Sequence, residues 1–339
     1  MNRPITIVGG GLAGLGLAAG LRKRDVPVTV YEAGRYPRHR VCGEFLSGLR
    51  SETLASLGIE ACFDGSNSHM EVVWIKDGVP VTRHCLPDRT LALSRFALDQ
   101  RLSVHVREMG GSVVEQARMS PNSKPGTVWA AGRAPRRGSW IGLKCHFSDE
   151  LKLVSDLEMH LGQNGYVGLA GIENGRVNVC GLFRLDRSLS GKRSQLLLAY
   201  LRAGGQETLA KRLAESRCDE SSFCAIAGFC LGWQKIDDDR MTIGDAAAMI
   251  PPFTGNGMSM ALQSADAAVQ PLVEWSRGRL SWGHCRRDIR SRLRSMFRTR
   301  MAVAGAVNPL LVQSVWQKWV SSLAGRGLVP VRPLLELVR

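Results

Sequence analysis

The feature that most constrains this chain is a cluster of glycines at its start. Ile5-Thr6-Ile7-Val8 is a short apolar, β-rich run, followed at once by Gly9-Gly10-Gly11-Leu12-Ala13-Gly14. Leu15 to Arg24 then reads as a helix, and Val26 to Tyr31 as a second strand that ends in Glu32-Ala33. A continuous apolar run suits a strand buried on both faces. Gly9 permits a tight turn, Gly11 lets the backbone approach a pyrophosphate, and Gly14 lets the helix pack closely on the sheet. The helix N-terminus offers free N–H groups and a positive dipole end to phosphates, and Leu12 and Ala13 just before it are candidate cofactor contacts. Glu32 lies 18 residues after Gly14, where a carboxylate accepts from ribose hydroxyls and disfavours a 2′-phosphate. These residues predict a dinucleotide site without choosing the dinucleotide.

The same stretch mimics an export signal. Ile5 to Leu21 is uncharged and is flanked by Arg3 and by Arg22-Lys23-Arg24. At 17 residues it is short for a membrane span, and its six glycines suit a strand-turn-helix better. Nine scattered cysteines, odd in number and with no CxxC pair, predict neither a disulfide framework nor a zinc site, and we expect a cytoplasmic protein with no metal. The net charge of +15 is concentrated at one end, with 13 Lys/Arg from Arg277 onward against Asp288 and Glu336. That distribution argues against a general affinity for nucleic acid.

A second glycine turn lies far along the chain. Met241-Thr-Ile-Gly244-Asp245 runs into Pro252-Phe-Thr-Gly255-Asn256-Gly257-Met258, and a helix is expected from Met258 to Val269. Leu93-Ser94-Arg95-Phe96-Ala97-Leu98-Asp99 and Pro37-Arg38-His39-Arg40-Val41-Cys42-Gly43-Glu44 complete the pattern. Together these segments resemble the p-hydroxybenzoate hydroxylase and geranylgeranyl reductase superfamily of flavoproteins, over nearly the whole length. The resemblance implies an α/β chain in which a Rossmann-like FAD-binding domain of the glutathione-reductase type is interleaved with an antiparallel-sheet substrate domain. It implies FAD as cofactor, with Asp245 at the ribityl chain, the backbone of Gly255, Asn256, Gly257 and Met258 at the isoalloxazine, and Arg95 and Arg40 near the pyrophosphate or ring oxygens. It also places Cys42 and Pro252 at the catalytic end of the pocket. Cys42 reads as a pocket wall, a residue tuning substrate fit, or a reactive thiol whose pKa the flanking Arg38 and Arg40 would depress. His39 beside it reads as exposed.

The expected FAD domain takes residues 1–66, 91–138 and 223–275, the substrate domain 67–90 and 139–222, and a basic helical segment 276–339. Alternating apolar positions in Ile141 to Phe147, Leu157 to Leu161, Gly165 to Ala170 and Val177 to Leu182 predict the substrate sheet. Trp140, His146, Phe147 and Tyr166 are candidates to line its cavity. In the tail, Ile289, Leu293, Met296, Phe297 and Met301 form one side of a helix from Arg286 to Met301, with arginines elsewhere. Such a helix either packs its stripe on its own domain, the favoured reading, or lies on an anionic membrane with Trp316 and Trp319 at the interface.

Two departures bear on the reaction. Ala131-Gly132-Arg133 stands where many hydroxylases carry Asp-Gly, and Ser259 where they often have Asn. Direct reduction by NAD(P)H in their manner is thereby weakened, leaving NAD(P)H or a separate reductase as transient electron donor. The resemblance implies an FAD-dependent monooxygenase acting through a flavin hydroperoxide on an organic metabolite, hydrophobic or carrier-bound. The alternative is a geranylgeranyl-reductase-like enzyme saturating carbon–carbon double bonds, and the third reading is a flavin-binding protein without turnover. A small-molecule substrate, an external flavin reductase or a carrier protein are the partners expected.

Overall fold

In the computed structural model, residues 2–133, 138–235, 239–312 and 337 are described. The glycine run folds as a parallel βαβ unit: β1 (Ile5–Val8), α1 (Leu12–Arg22) and β2 (Val28–Tyr31). In chain order there follow β3 (Phe45–Leu46), α2 (Ser51–Leu57), β4 (Asn67–Lys76), β5 (Val79–Ala92), α3 (Arg95–Glu108), β6 (Ser112–Val114) and β7 (Thr127–Trp129). The second half holds β8 (Trp140–Phe147), β9 (Leu157–Gly162), β10 (Gly165–Gly171), β11 (Val177–Arg184), α4 (Ser194–Ala203), α5 (Glu207–Ala214) and β12 (Cys218–Ala227). It ends with β13 (Gly232–Trp233), β14 (Met241–Thr242), β15 (Ala248–Met249), α6 (Gly257–Ser276) and α7 (Trp282–Val312).

Two sheets organise these elements. The first is parallel, in the order β14-β7-β1-β2-β6, so β1 sits at its centre, where its unbroken apolar run predicts it to be. α1 is buried along almost its whole length against this sheet and α6, which is why it reads apolar all round. The second sheet has eight strands, β12-β8-β11-β10-β9-β4-β5-β3, antiparallel except for the β4–β9 pair. The chain crosses between the sheets repeatedly, an α/β fold with the two parts interleaved, as the resemblance implied.

Alternation along β8 assigns its faces. Ile141, Leu143, Cys145 and Phe147 pack on Leu197, Leu201, Leu209 and Leu213 of α4 and α5. Gly142, Lys144 and His146 lie on the opposite face, against the loop at 39–44. α7 buries Ile289, Leu293, Phe297, Met301 and Ala304 in the main core, a stripe at three- to four-residue spacing, and its buried positions continue to Val312. Met296, expected on that stripe, is 45% exposed instead, while Arg287, Arg294 and Arg298 make a basic outer face. Trp316 and Trp319 lie outside the described residues. No described helix is long and apolar enough to cross a membrane, and Ile5–Leu21 is a strand, a turn and a helix.

Candidate functional site

A cleft of about 740 Å³ runs between the two sheets, from the turn after β1 to the start of α6. At the first end, Gly9 has φ +108°, and a side chain there would begin 2.4 Å from Ala130 O. A Cβ on Gly14 would lie 1.9 Å from Gly9 O, so this glycine holds α1 against the turn and does not itself line the cleft. Gly11 differs: its backbone is extended, and a Cβ would meet only Arg95 Nη2, at 3.7 Å. The N-terminus of α1 carries no side-chain cap, and Gly11, Leu12 and Ala13 all face the cleft. The open space beside unused N–H groups is an anion cradle.

Glu32 closes this end. Its carboxylate accepts from Gly10 N and Gly34 N, both at 2.8 Å, pairs with Arg38 at 2.8 Å, and lies 3.6 Å from Arg40. Ala33 lines the cleft beside it. Tyr36 Oη donates to Gly10 O at 2.5 Å, pinning the turn from behind. Arg40 and Arg95 come from different segments and are gathered by one buried carboxylate. Asp99 accepts from Arg40 Nε at 2.8 Å and from Arg95 Nε and Nη2 at 2.8 and 2.9 Å. Both arginines border the cleft.

The other end is built by the second glycine turn. Asp245, Pro252, Gly255, Gly257 and Met258 line it, whereas Asn256 is fully buried beneath the turn. Gly255 has φ +68°, and its missing side chain makes room for the Phe45 ring. Gly257 has open space where a Cβ would be, at the uncapped start of α6, which extends to Ser276, beyond the expected Val269. Burial pushes the Asp245 carboxyl up to about 6, against the pull of Arg95 and Arg133. Ser259 is buried and donates to Ser47 O at 2.6 Å, so it ties α6 to the Ser47 loop and stays out of the cleft.

Cys42 lines the cleft, with a thiol pushed up by burial; Arg95 pulls it down only in part. The reactive-thiol reading drew on Arg38 and Arg40 as neighbours in sequence, but their guanidiniums turn away to Glu32 and Asp99. A wall or substrate-tuning role remains for Cys42. Of the four suggested lining residues, none borders the cleft. Trp140 stacks under Arg184, Phe147 is in the α4–α5 core, and Tyr166 Oη accepts from Phe253 N at 3.1 Å. The second sheet and the chain just after it contribute Phe45 of β3, Cys224, Ala225, Ile226 and Phe229.

His146 belongs to a buried cluster that the sequence did not announce. Glu44, at 0% exposure, meets Lys144 Nζ at 3.2 Å and His146 Nε2 at 2.6 Å, and accepts from Arg95 N at 2.9 Å. Burial opposes the Glu44 charge, yet His146, Lys144 and the Arg95 N–H together hold it below the usual carboxylate range. Lys144 Nζ also lies 3.3 Å from Nδ1 of His39, whose ring stacks on Phe96 and borders the cleft. His39 is half-buried, contrary to the exposed position expected for it, and burial, Lys144 and His146 push it down to about 4.

With this fold and cleft the chain can be set beside known proteins. The family model described as NAD(P)-binding Rossmann-like domain matches residues 7–69. Menaquinone reductase of Mycolicibacterium smegmatis is 23% identical over 320 residues, covering 79% of this chain and 76% of that protein. Among solved structures, the flavin-dependent brominase Bmp2 superposes with a TM-score of 0.76 at 17% identity, covering 100% of this chain and 93% of that one. PqsL of Pseudomonas aeruginosa, described as a probable FAD-dependent monooxygenase, gives 0.72 at 16% identity, covering 94% and 99%. p-Nitrophenol 4-monooxygenase PnpA of Pseudomonas putida gives 0.72 at 13% identity, covering 99% and 96%. The chain has the fold of FAD-dependent monooxygenases.

Proposed function

We propose that this protein is an FAD-dependent monooxygenase acting on an organic metabolite. The observation that carries this reading is the continuity of the cleft, which joins an anion cradle at Gly11 to the Gly255–Gly257 turn with Asp245 between them. The chain's residues fit FAD. The Gly11 cradle and Arg95 would hold the pyrophosphate, Glu32 the ribose, Asp245 the ribityl hydroxyls, and the α6 N-terminus the isoalloxazine edge that gains negative charge on reduction. When bound, FAD supplies two-electron transfer and reaction with oxygen. The protein's own work is to exclude water with Phe45, Cys42 and Met258, and to orient the substrate. Electrons would come from NAD(P)H or from an external reductase. The substrate is a small molecule, free or carrier-bound, in a cytoplasmic setting, and the basic outer face of α7 would make any contact with a membrane surface.

A second reading has its own support. The Cys42-Gly43-Glu44 stretch, which resembles that of geranylgeranyl reductases, favours saturation of a carbon–carbon double bond, and the likeness to a protein named menaquinone reductase favours a reductase. One experiment decides. The reduced, FAD-loaded protein is mixed with candidate substrate with and without oxygen. Oxygenated product and substrate-dependent oxygen uptake are expected; a saturated product formed without oxygen would replace the first reading with the second. A protein that neither purifies with FAD nor binds it would remove both.

Asp245 gives this reading a pH signature. Its carboxyl sits at about 6 in the protein alone, and hydroxyl donors from the ribityl chain favour the ionised form. Binding therefore releases a proton, and affinity must rise with pH through 6 and level off above it. We expect FAD to bind about five- to tenfold more tightly at pH 7.5 than at pH 5. Fluorescence titration should show that slope flattened in Asp245→Asn, with FAD retention weakened again in Asp245→Ala.

A further inference from the structure

Both reactions proposed above consume one proton per turnover. Reduced flavin anion, oxygen and substrate RH need one proton to give oxidised flavin, ROH and water; hydride delivery to a double bond needs one for the second carbon. A cleft that excludes water must obtain that proton from the protein.

We infer that His39 is the residue that passes this proton into the cleft, supplied from behind by the buried Lys144–Glu44–His146 cluster. His39 is the member of the group that borders the cleft. Its Nδ1 faces Lys144 Nζ at 3.3 Å, and its ring is fixed by stacking on Phe96 at 4.5 Å between centroids. An imidazole that accepts at Nδ1 carries its proton on Nε2. In the step, the Nε2–H bond of His39 breaks as the proton leaves for the reacting atom, and a proton from Lys144 Nζ moves to Nδ1. Glu44 loses its ammonium partner for that interval and keeps the His146 contact at 2.6 Å. When the cleft opens, solvent protonates Nε2 and the Nδ1 proton returns to Lys144.

The other groups facing His39 set its balance. Lys144 and His146 on β8 disfavour an imidazolium, while Glu44 on the loop and Asp219 on β12 favour it, and the first pair prevails after burial. His39 is thus a neutral ring across the physiological range, able to relay without holding charge in the cleft. His146 Nδ1 has no hydrogen-bond partner among the described residues, so this ring is held by Glu44 at Nε2 and by edge-on packing against the His39 ring. Lys144, Glu44 and His146 are positioning residues in this scheme. The inference rests on the flavoenzyme reading, so its test has an arm that needs no flavin.

In flavin-free protein, nitrogen-15 NMR of the imidazoles is expected to show His39 as the neutral Nε2–H tautomer at pH 7, with its titration below pH 5. Lys144→Met should raise that midpoint by a unit or more and release the tautomer. A His39 that titrates near 6.5 and ignores Lys144→Met overturns the relay, whatever the protein's reaction. If Lys144→Met does not fold, His39→Gln at the cleft edge carries the second arm. In FAD-loaded protein, reoxidation of the reduced flavin by dissolved oxygen, which consumes a proton in giving hydrogen peroxide, is followed in H₂O and D₂O. His39→Gln should slow it by about 100-fold and abolish the solvent isotope effect, and imidazole should restore His39→Ala. Unchanged rates and isotope effects would overturn the inference while leaving the flavin reading intact; failure to load FAD would remove the flavin reading and leave the NMR arm to decide the relay.

Discussion

Glu44→Ala is expected to cost the protein about 3–5 kcal/mol of stability, the range seen when one partner of a buried ion pair is removed. Glu44 and Lys144 are both at 0% exposure, and the carboxylate is shared by Lys144 Nζ, His146 Nε2 and the first N–H of α3. Without it Lys144 keeps only His39 Nδ1 among its observed partners, and an ammonium in that setting is poorly solvated. Glu44 has φ +58°, and alanine shares the strain of that backbone, so the loss reports the carboxylate and not the turn. Two further variants separate the contributions. Glu44→Gln keeps an acceptor for the N–H groups and should lose less, on the order of 1–3 kcal/mol. Lys144→Met placed on Glu44→Ala removes the stranded charge and should recover part of the loss. Urea unfolding midpoints at constant slope measure all three. The carboxyl is held low in the folded protein, so its contribution is present above the unfolded value near 4.5 and disappears as pH falls through the folded one. A Glu44→Ala protein as stable as the parent would show that the cations are held some other way.

That cluster also marks where reading the sequence stops. The first glycine turn was legible because it imposes local backbone requirements that spacing displays, a tight turn at Gly9 and a close approach at Gly14, whereas the second, at Gly255 and Gly257, was read through resemblance. The strands of the second sheet were legible from period-two alternation, and β8 shows both the strength and the limit of that signal. Ile141, Leu143, Cys145 and Phe147 fall on one face of the strand and pack in the core, and only His146 was read as a candidate to line a cavity on the other face, formed by Gly142, Lys144 and His146. They are buried, because the loop carrying Glu44 crosses over them from about 100 residues earlier, and nothing in a period of two records that. Sequence neighbours misled in the opposite way at Cys42. Arg38 and Arg40 flank it along the chain, but Glu32 and Asp99 attract their charges, and the arginine that acts on the thiol is Arg95, from α3. Asp99, which gathers Arg40 and Arg95, was visible only as the end of a motif and not as the residue that positions both.

The opening glycines lead to the second large effect, and they divide into two kinds. Gly9→Ala and Gly14→Ala meet backbone, at 2.4 Å from Ala130 O and 1.9 Å from Gly9 O. Neither carbonyl can move without displacing β7 or the turn itself, so both variants should lose stability at or above the upper end of the usual overpacking cost, about 3 kcal/mol. Gly11→Ala meets nothing closer than Arg95 Nη2 at 3.7 Å and adopts a backbone open to any residue. Its melting temperature without cofactor should match the parent's. Yet the added methyl would occupy the space beside the N–H groups of Leu12 and Ala13, where the pyrophosphate would have to come closest. We expect Gly11→Ala to bind FAD at least 100-fold more weakly, equivalent to about 2.7 kcal/mol. This separation of folding from binding is diagnostic, because a glycine kept for helix packing would fail in stability first. A Gly11→Ala protein that holds FAD as tightly as the parent would place the phosphates elsewhere in the cleft. An unstable one would make Gly11 a packing residue like Gly14. The expected result, a sound fold with an empty cradle, leaves the close approach of an anionic ligand as the reason for glycine at position 11.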